Sequence, residues 1–165
     1  MKKILLSAVI ALSVAAPAYA ASGNTSTAAG SAVANVVAPI VLTHTSGTSL
    51  NFGSFTTGTG GTVVVGSDGA GSATGDVGFV PSSTEAADQF TVKGDNNRNF
   101  SITTASGTVV NGATTIAFTT APSAASGTTS ATGTAAFSVG GTLTVIGTEA
   151  AGAYSGSYNA TVAYD

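Results

Sequence analysis

The chain holds one histidine, His44, and seven carboxylates, so any acid–base, hydrolytic or metal chemistry would have to be built from these groups. A Ser-His-Asp arrangement would need His44. No G-x-S-x-G accompanies it, and it falls in the strand-like run VVAPIVLTHT, so a surface or packing role outweighs a catalytic one. Asp68, Asp76, Glu85, Asp88, Asp95, Glu149 and Asp165 occur singly, and a glycosidase-type pair could be assembled only by the fold. Asp68 and Asp76 bracket a Gly-rich stretch at 67–75, and calcium needs several oxygens. The D-x-D-x-D-G loop is absent, which favours an ordinary turn there. Gly58, Gly60 and Gly61 lack both a following helix pattern and the G-K-[ST] of a phosphate loop. There is no cysteine, which removes thiol chemistry and disulfides. The expectation is a non-enzyme with no cofactor and no metal site.

The elements that would position such residues are strands. Thr, Ser, Ala, Gly and Val dominate, whereas Leu, Glu and Lys are scarce after the first twenty residues, a composition that disfavours helix. Short apolar or alternating runs recur at 36–45, 49–55, 62–66, 76–80, 89–94, 99–104, 114–120, 134–139 and 142–147, followed by a terminal strand over 154–164. This pattern predicts an all-β antiparallel sandwich of roughly 8 to 10 strands. Gly140-Gly141 reads as a two-residue hairpin turn between 134–139 and 142–147. Phe90 and Val92 read as facing Phe100 and Ile102 across a second hairpin whose loop is Gly94–Asn97. Residues 67–75 and 121–133 read as surface loops.

Residues 1–20 combine Lys2 and Lys3, an apolar run and Ala18-Tyr19-Ala20, as in a secretory signal peptide. Its removal leaves Lys93 and Arg98 against seven carboxylates, a net charge of two minus seven, or −5. That balance excludes nucleic acid as a partner. No later apolar stretch is long enough to cross a bilayer, so no membrane span is expected.

Residues 21–37 read as a leader, and 38–165 as the sandwich domain. In the leader, Ala28, Gly30, Ala32, Ala34 and Val36 form one alternate set of small or apolar residues. This makes the leader either a disordered linker or a donor strand laid into a groove. At the other end, Tyr154, Gly156, Tyr158, Ala160, Val162 and Tyr164 share one face of the last strand, and a terminal strand this regular needs a strand beside it.

The C-terminal run resembles that of chaperone-usher pilins, in which a glycine fourteenth from the end and a penultimate tyrosine mark the last strand; here these are Gly152 and Tyr164. Wider resemblance is to the bacterial domain of unknown function 4402, through ANVVAPIVLTHT, SLNFGSF, GTVVV, ADQFTVKGDNNRNFSI, ATGTAAFSVGGTLTV and AGAYSGSYNATVAYD. SLNFGSF and the ending also look like archaic pilins of the spore coat protein U type. The resemblance implies an immunoglobulin-like sandwich, incomplete until a neighbour's N-terminal strand fills it. It implies export to the periplasm and then the cell surface, a periplasmic chaperone and an outer-membrane usher as partners, and self-association into a polymer. The interacting residues would be the alternate leader set with Gly152, Tyr154, Tyr158, Val162 and Tyr164. Two departures are the missing cysteine pair and the small leader side chains. The expected function is a structural subunit of a surface filament. The alternative is a self-complemented monomeric sandwich that binds a glycan or other surface polymer through loops 67–75 and 121–133.

Overall fold

A computed structural model describes Gly23 and residues 25–165. The export signal expected at 1–20 lies outside the described residues. The chain divides into two compact units, Met1–Asn35 and Val36–Asp165. Described residues of the first unit, Ala28, Gly30, Ala32 and Ala34 among them, are exposed and form no strand.

The second unit is all-β, with antiparallel pairing throughout. The large sheet runs in the order β1 (Val41–His44), β6 (Asp88–Lys93), β11 (Thr134–Val145), β9 (Thr114–Pro122), β8 (Gly107–Asn111) and β12 (Ser155–Ser157). Two further strands extend it, β3 (Gly61–Val65) on the second half of β11 and β4 (Gly71–Gly75) beyond β3. A second sheet runs β10 (Ser126–Thr128), β7 (Asn99–Thr104), β13 (Ala160–Tyr164), and β2 (Phe55–Thr56) pairs with β5 (Gly78–Phe79). These thirteen strands exceed the expected count. Four of them have only two or three residues, and β4, β8 and β10 form where none was expected.

The 67–75 loop is thus half strand. Ser67–Gly69 turn the chain, Asp68 Oδ1 accepts the Ala70 N–H at 3.0 Å, and Thr62 and Thr74 hydroxyls meet across β3 and β4 at 2.7 Å. Backbone pairing with β3 makes a strand of a sequence too small and polar to look like one.

Strand β11 corrects the first hairpin. It continues without a turn through Gly140 and Gly141, neither of which has a positive φ. Ala135, Phe137, Val139, Gly141, Leu143 and Val145 all fall on one face, so the alternation never breaks. The two glycines mark the point where the partner on one edge changes from β6 to β3, while β9 runs past on the other edge. A side chain there would run into the Val65 carbonyl from Gly140, or the Thr119 carbonyl from Gly141. Close backbone approach, not turn geometry, requires them.

The second hairpin is also corrected. β6 pairs with β1 and β11, and β7 with β10 and β13, so the Gly94–Asn97 loop crosses between sheets. Phe90, Val92, Phe100 and Ile102 nevertheless meet, because the two sheets bury them face to face with Phe137 and Val139. Phe90 and Phe137 are opposite each other in the ladder and stack at 5.3 Å. A second cluster centres on Phe118, with Val63, Val65, Ile116, Leu143 and Val145 from the large sheet and Phe52 and Val77 from the segments around β2 and β5. The long β11 serves both clusters.

The expected 154–164 strand is two. Its first part, β12, pairs with β8; its second, β13, pairs with β7; the chain changes sheet at Tyr158-Asn159. Across the break Tyr154, Tyr158, Ala160, Val162 and Tyr164 are half-buried, whereas Gly156, expected on the same face, is exposed together with the residues between them.

Candidate functional site

The two clusters differ in how they are closed. Against the Phe90 cluster, Ile40 and Leu42 from the start of the unit pack together with Val162 and Tyr164. Beside the Phe118 cluster lies an open groove of about 1100 Å³. Its floor is Val109, Ile116, Phe118 and Leu143, and its walls are residues 49–58 and 149–158. Strand β12 ends the large sheet and β2 pairs with β5 alone, so both walls carry strand edges without a second partner among the described residues. Wall side chains are mostly Ser, Thr, Gly and Ala, which leaves backbone close to the opening.

At one end of the groove a hydrogen-bonded node ties three segments together. Asp88, 4% exposed, opens β6 on the same face as Phe90 and Val92. Its Oδ1 accepts His44 Nε2–H at 2.7 Å, the Thr48 hydroxyl at 2.9 Å and the Gln89 N–H at 2.9 Å, and its Oδ2 accepts the Tyr158 hydroxyl at 2.9 Å. Burial pushes the Asp88 carboxyl up, and the bonds from His44, Tyr158, Thr48 and Gln89 outweigh it, leaving the group below the usual carboxylate range. Burial, then the hydrogen bond to Asp88 and its charge, push the Tyr158 phenol well above the tyrosine range. His44 also meets Phe90 edge-on at 5.2 Å. Tyr158 packs against both clusters, edge-on to Phe90 and to Phe118.

Glu149, Asp76 and Asp68 are engaged in turns. Glu149 accepts the Ile146 and Gly147 N–H groups at 2.6 and 2.8 Å; burial pushes its carboxyl up, and the backbone N–H groups of 146–149 together outweigh it and bring it below the usual range. Asp76 accepts the Thr59 N–H at 3.0 Å. Asp68 and Asp76 flank opposite ends of β4, each occupied by its own turn, so the sequence between them does not bring them together around a cation. The groove thus combines an apolar floor and strand edges with a lining that includes His44, Asp88 and Glu149.

The sequence-marked residues divide between the two halves. Tyr154 borders the groove, its hydroxyl donating to the Ala150 carbonyl at 2.8 Å. Gly152 lies in the groove wall at φ +151°, against the Asn111 side chain, where a Cβ would collide. Val162 and Tyr164 lie opposite Ile102 and Phe100 on β13, at the closed half. Val36 is exposed. Asp88 was missed as a site residue, although its place two before Phe90 on the inward face of β6 was a readable signal.

The family model described as Domain of unknown function (DUF4402) matches residues 42–164, well over half of the chain. No curated protein and no solved structure matches it.

Proposed function

The chain belongs to the DUF4402 family, and on that premise we propose that it is an exported, non-enzymatic structural subunit of a bacterial surface filament, assembled by donor-strand complementation. The observation that carries this reading is the groove, where two strand edges without a second partner among the described residues flank an apolar floor. Such edges invite pairing by an added strand, whose backbone supplies hydrogen bonds while alternate side chains meet the floor. The leader suits that role by composition, being uncharged with Ala28, Gly30, Ala32, Ala34 and Val36 on alternate positions. On this reading the subunit passes through the periplasm to the cell surface, with a chaperone and an usher as assembly partners and a second copy as the final one.

The test is size-exclusion chromatography with light scattering on residues 21–165, then on 38–165 with and without a peptide of 21–37. Polymers of the first, and stoichiometric peptide capture by the second, are expected. A full-length monomer that never polymerises, with a deletion that ignores the peptide, overturns the filament and leaves a self-complemented, glycan-binding sandwich.

A further inference from the structure

Residues Val36–Ile40 precede the first strand and belong to no ladder. Among the described residues one hydrogen bond holds this stretch, from Tyr164 Oη to the Ala38 carbonyl at 2.9 Å. The same oxygen accepts the Asp95 N–H at 2.6 Å. A phenol has one O–H to give and lone pairs to receive, so both capacities of Tyr164 are committed, one to each segment. Pro39 follows Ala38 and has no N–H of its own to offer a neighbouring strand.

The ring that carries this hydroxyl is held from several directions. It packs on the Phe90 cluster, Tyr164 pairs with Phe100 in the β13–β7 ladder, and the Arg98 guanidinium lies 5.7 Å from the ring centre. Gly94 has no side chain where one would strike the Tyr164 hydroxyl.

We infer that the Tyr164 hydroxyl is a clasp between the last strand and the stretch before the first, fixing the point at which the N-terminal segment leaves the sandwich. The role goes beyond the filament reading, since it applies whichever molecule fills the groove. Without the clasp the first held point moves from Ala38 to Ile40, whose side chain packs on the Phe90 cluster, and two more residues, roughly 7 Å of extended chain, join the free segment. In a filament this would loosen the direction in which one subunit points to the next.

The experiment compares residues 21–165 with their Tyr164→Phe and Arg98→Ala variants. Phe keeps the ring, its packing and its cation contact and removes only the hydroxyl. Thermolysin cleavage within 36–41 and exchange of the Asp95 amide should each rise at least tenfold in Tyr164→Phe, with the Ile102 and Val162 amides as protected as before. Arg98→Ala should leave both rates near wild type. Unchanged rates in Tyr164→Phe overturn the clasp. Equal acceleration by Arg98→Ala overturns it too, because the ring's seat would then hold the segment. Loss of Ile102 and Val162 protection in Tyr164→Phe also overturns it, because the hydroxyl would then support the whole sheet.

Discussion

The two halves of the sandwich share one strand, β11, and end differently. At the Phe90 half, β1 and its approach bring Ile40 and Leu42 onto the core, and β13 covers it from the other sheet. At the Phe118 half, β12 is a short edge strand of Ser and Gly, and the wall facing it is irregular apart from the two residues of β2. A core closes when each sheet edge is matched by large inward side chains. The first half has them, and the second has backbone in their place.

This contrast is open to direct attack. The largest effect should come from Phe100→Ala in the closed half, at about 3 to 5 kcal/mol, because nothing can refill a cavity enclosed by two sheets. Phe52→Ala beside the groove should cost about half as much, since it widens a space already open. Denaturant midpoints of the two variants decide the matter, and equal losses would mean the groove is closed in solution.

Next comes the node where the halves meet. Asp88→Ala strands the Tyr158 hydroxyl, removes the partner of His44 and leaves Thr48 with the Thr45 carbonyl alone, and should cost on the order of 3 kcal/mol. The pH dependence has a definite sign. Because the folded carboxyl sits below its unfolded value, its stabilisation is present above about pH 4 and is lost as pH falls through the folded pKa. Melting temperatures between pH 6 and pH 2 should fall in wild type, and less steeply in Asp88→Asn. Parallel curves would show that Asp88 does not link the halves through its charge.

At the strand the halves share, Gly140→Ala should cost about 1 to 3 kcal/mol, because the added methyl meets the backbone of Val65 to Ser67, which cannot rotate away. A neutral outcome by thermal melting would restore a flexible turn at 140–141. The smallest effect should be Asp68→Ala at the β3–β4 turn, below about 1 kcal/mol for an exposed side chain capping one N–H. A larger loss, reversed by added calcium, would revive the cation site there.

What was legible in the sequence was what is local and periodic. Alternation in FTVK, NFSITT and 158–164 assigned inward faces that the structure keeps, even where the terminal strand breaks at Asn159, while Gly156 on β12 is exposed. Period-two patterning depends only on each strand having one buried face, so it survives any choice of partner. Composition likewise determined the all-β class. Partner choice was not legible: Gly140-Gly141 looks like a turn because glycine serves turns and crowded backbones equally well, and only β3, β6 and β9 arriving from distant sequence decide which. The same holds for the sheet change between β6 and β7, for β4, and for the groove. Asp88 stands between these cases, its face fixed by alternation and one donor by its neighbour Gln89, its other three donors supplied by segments forty to seventy residues away, which only tertiary packing brings together.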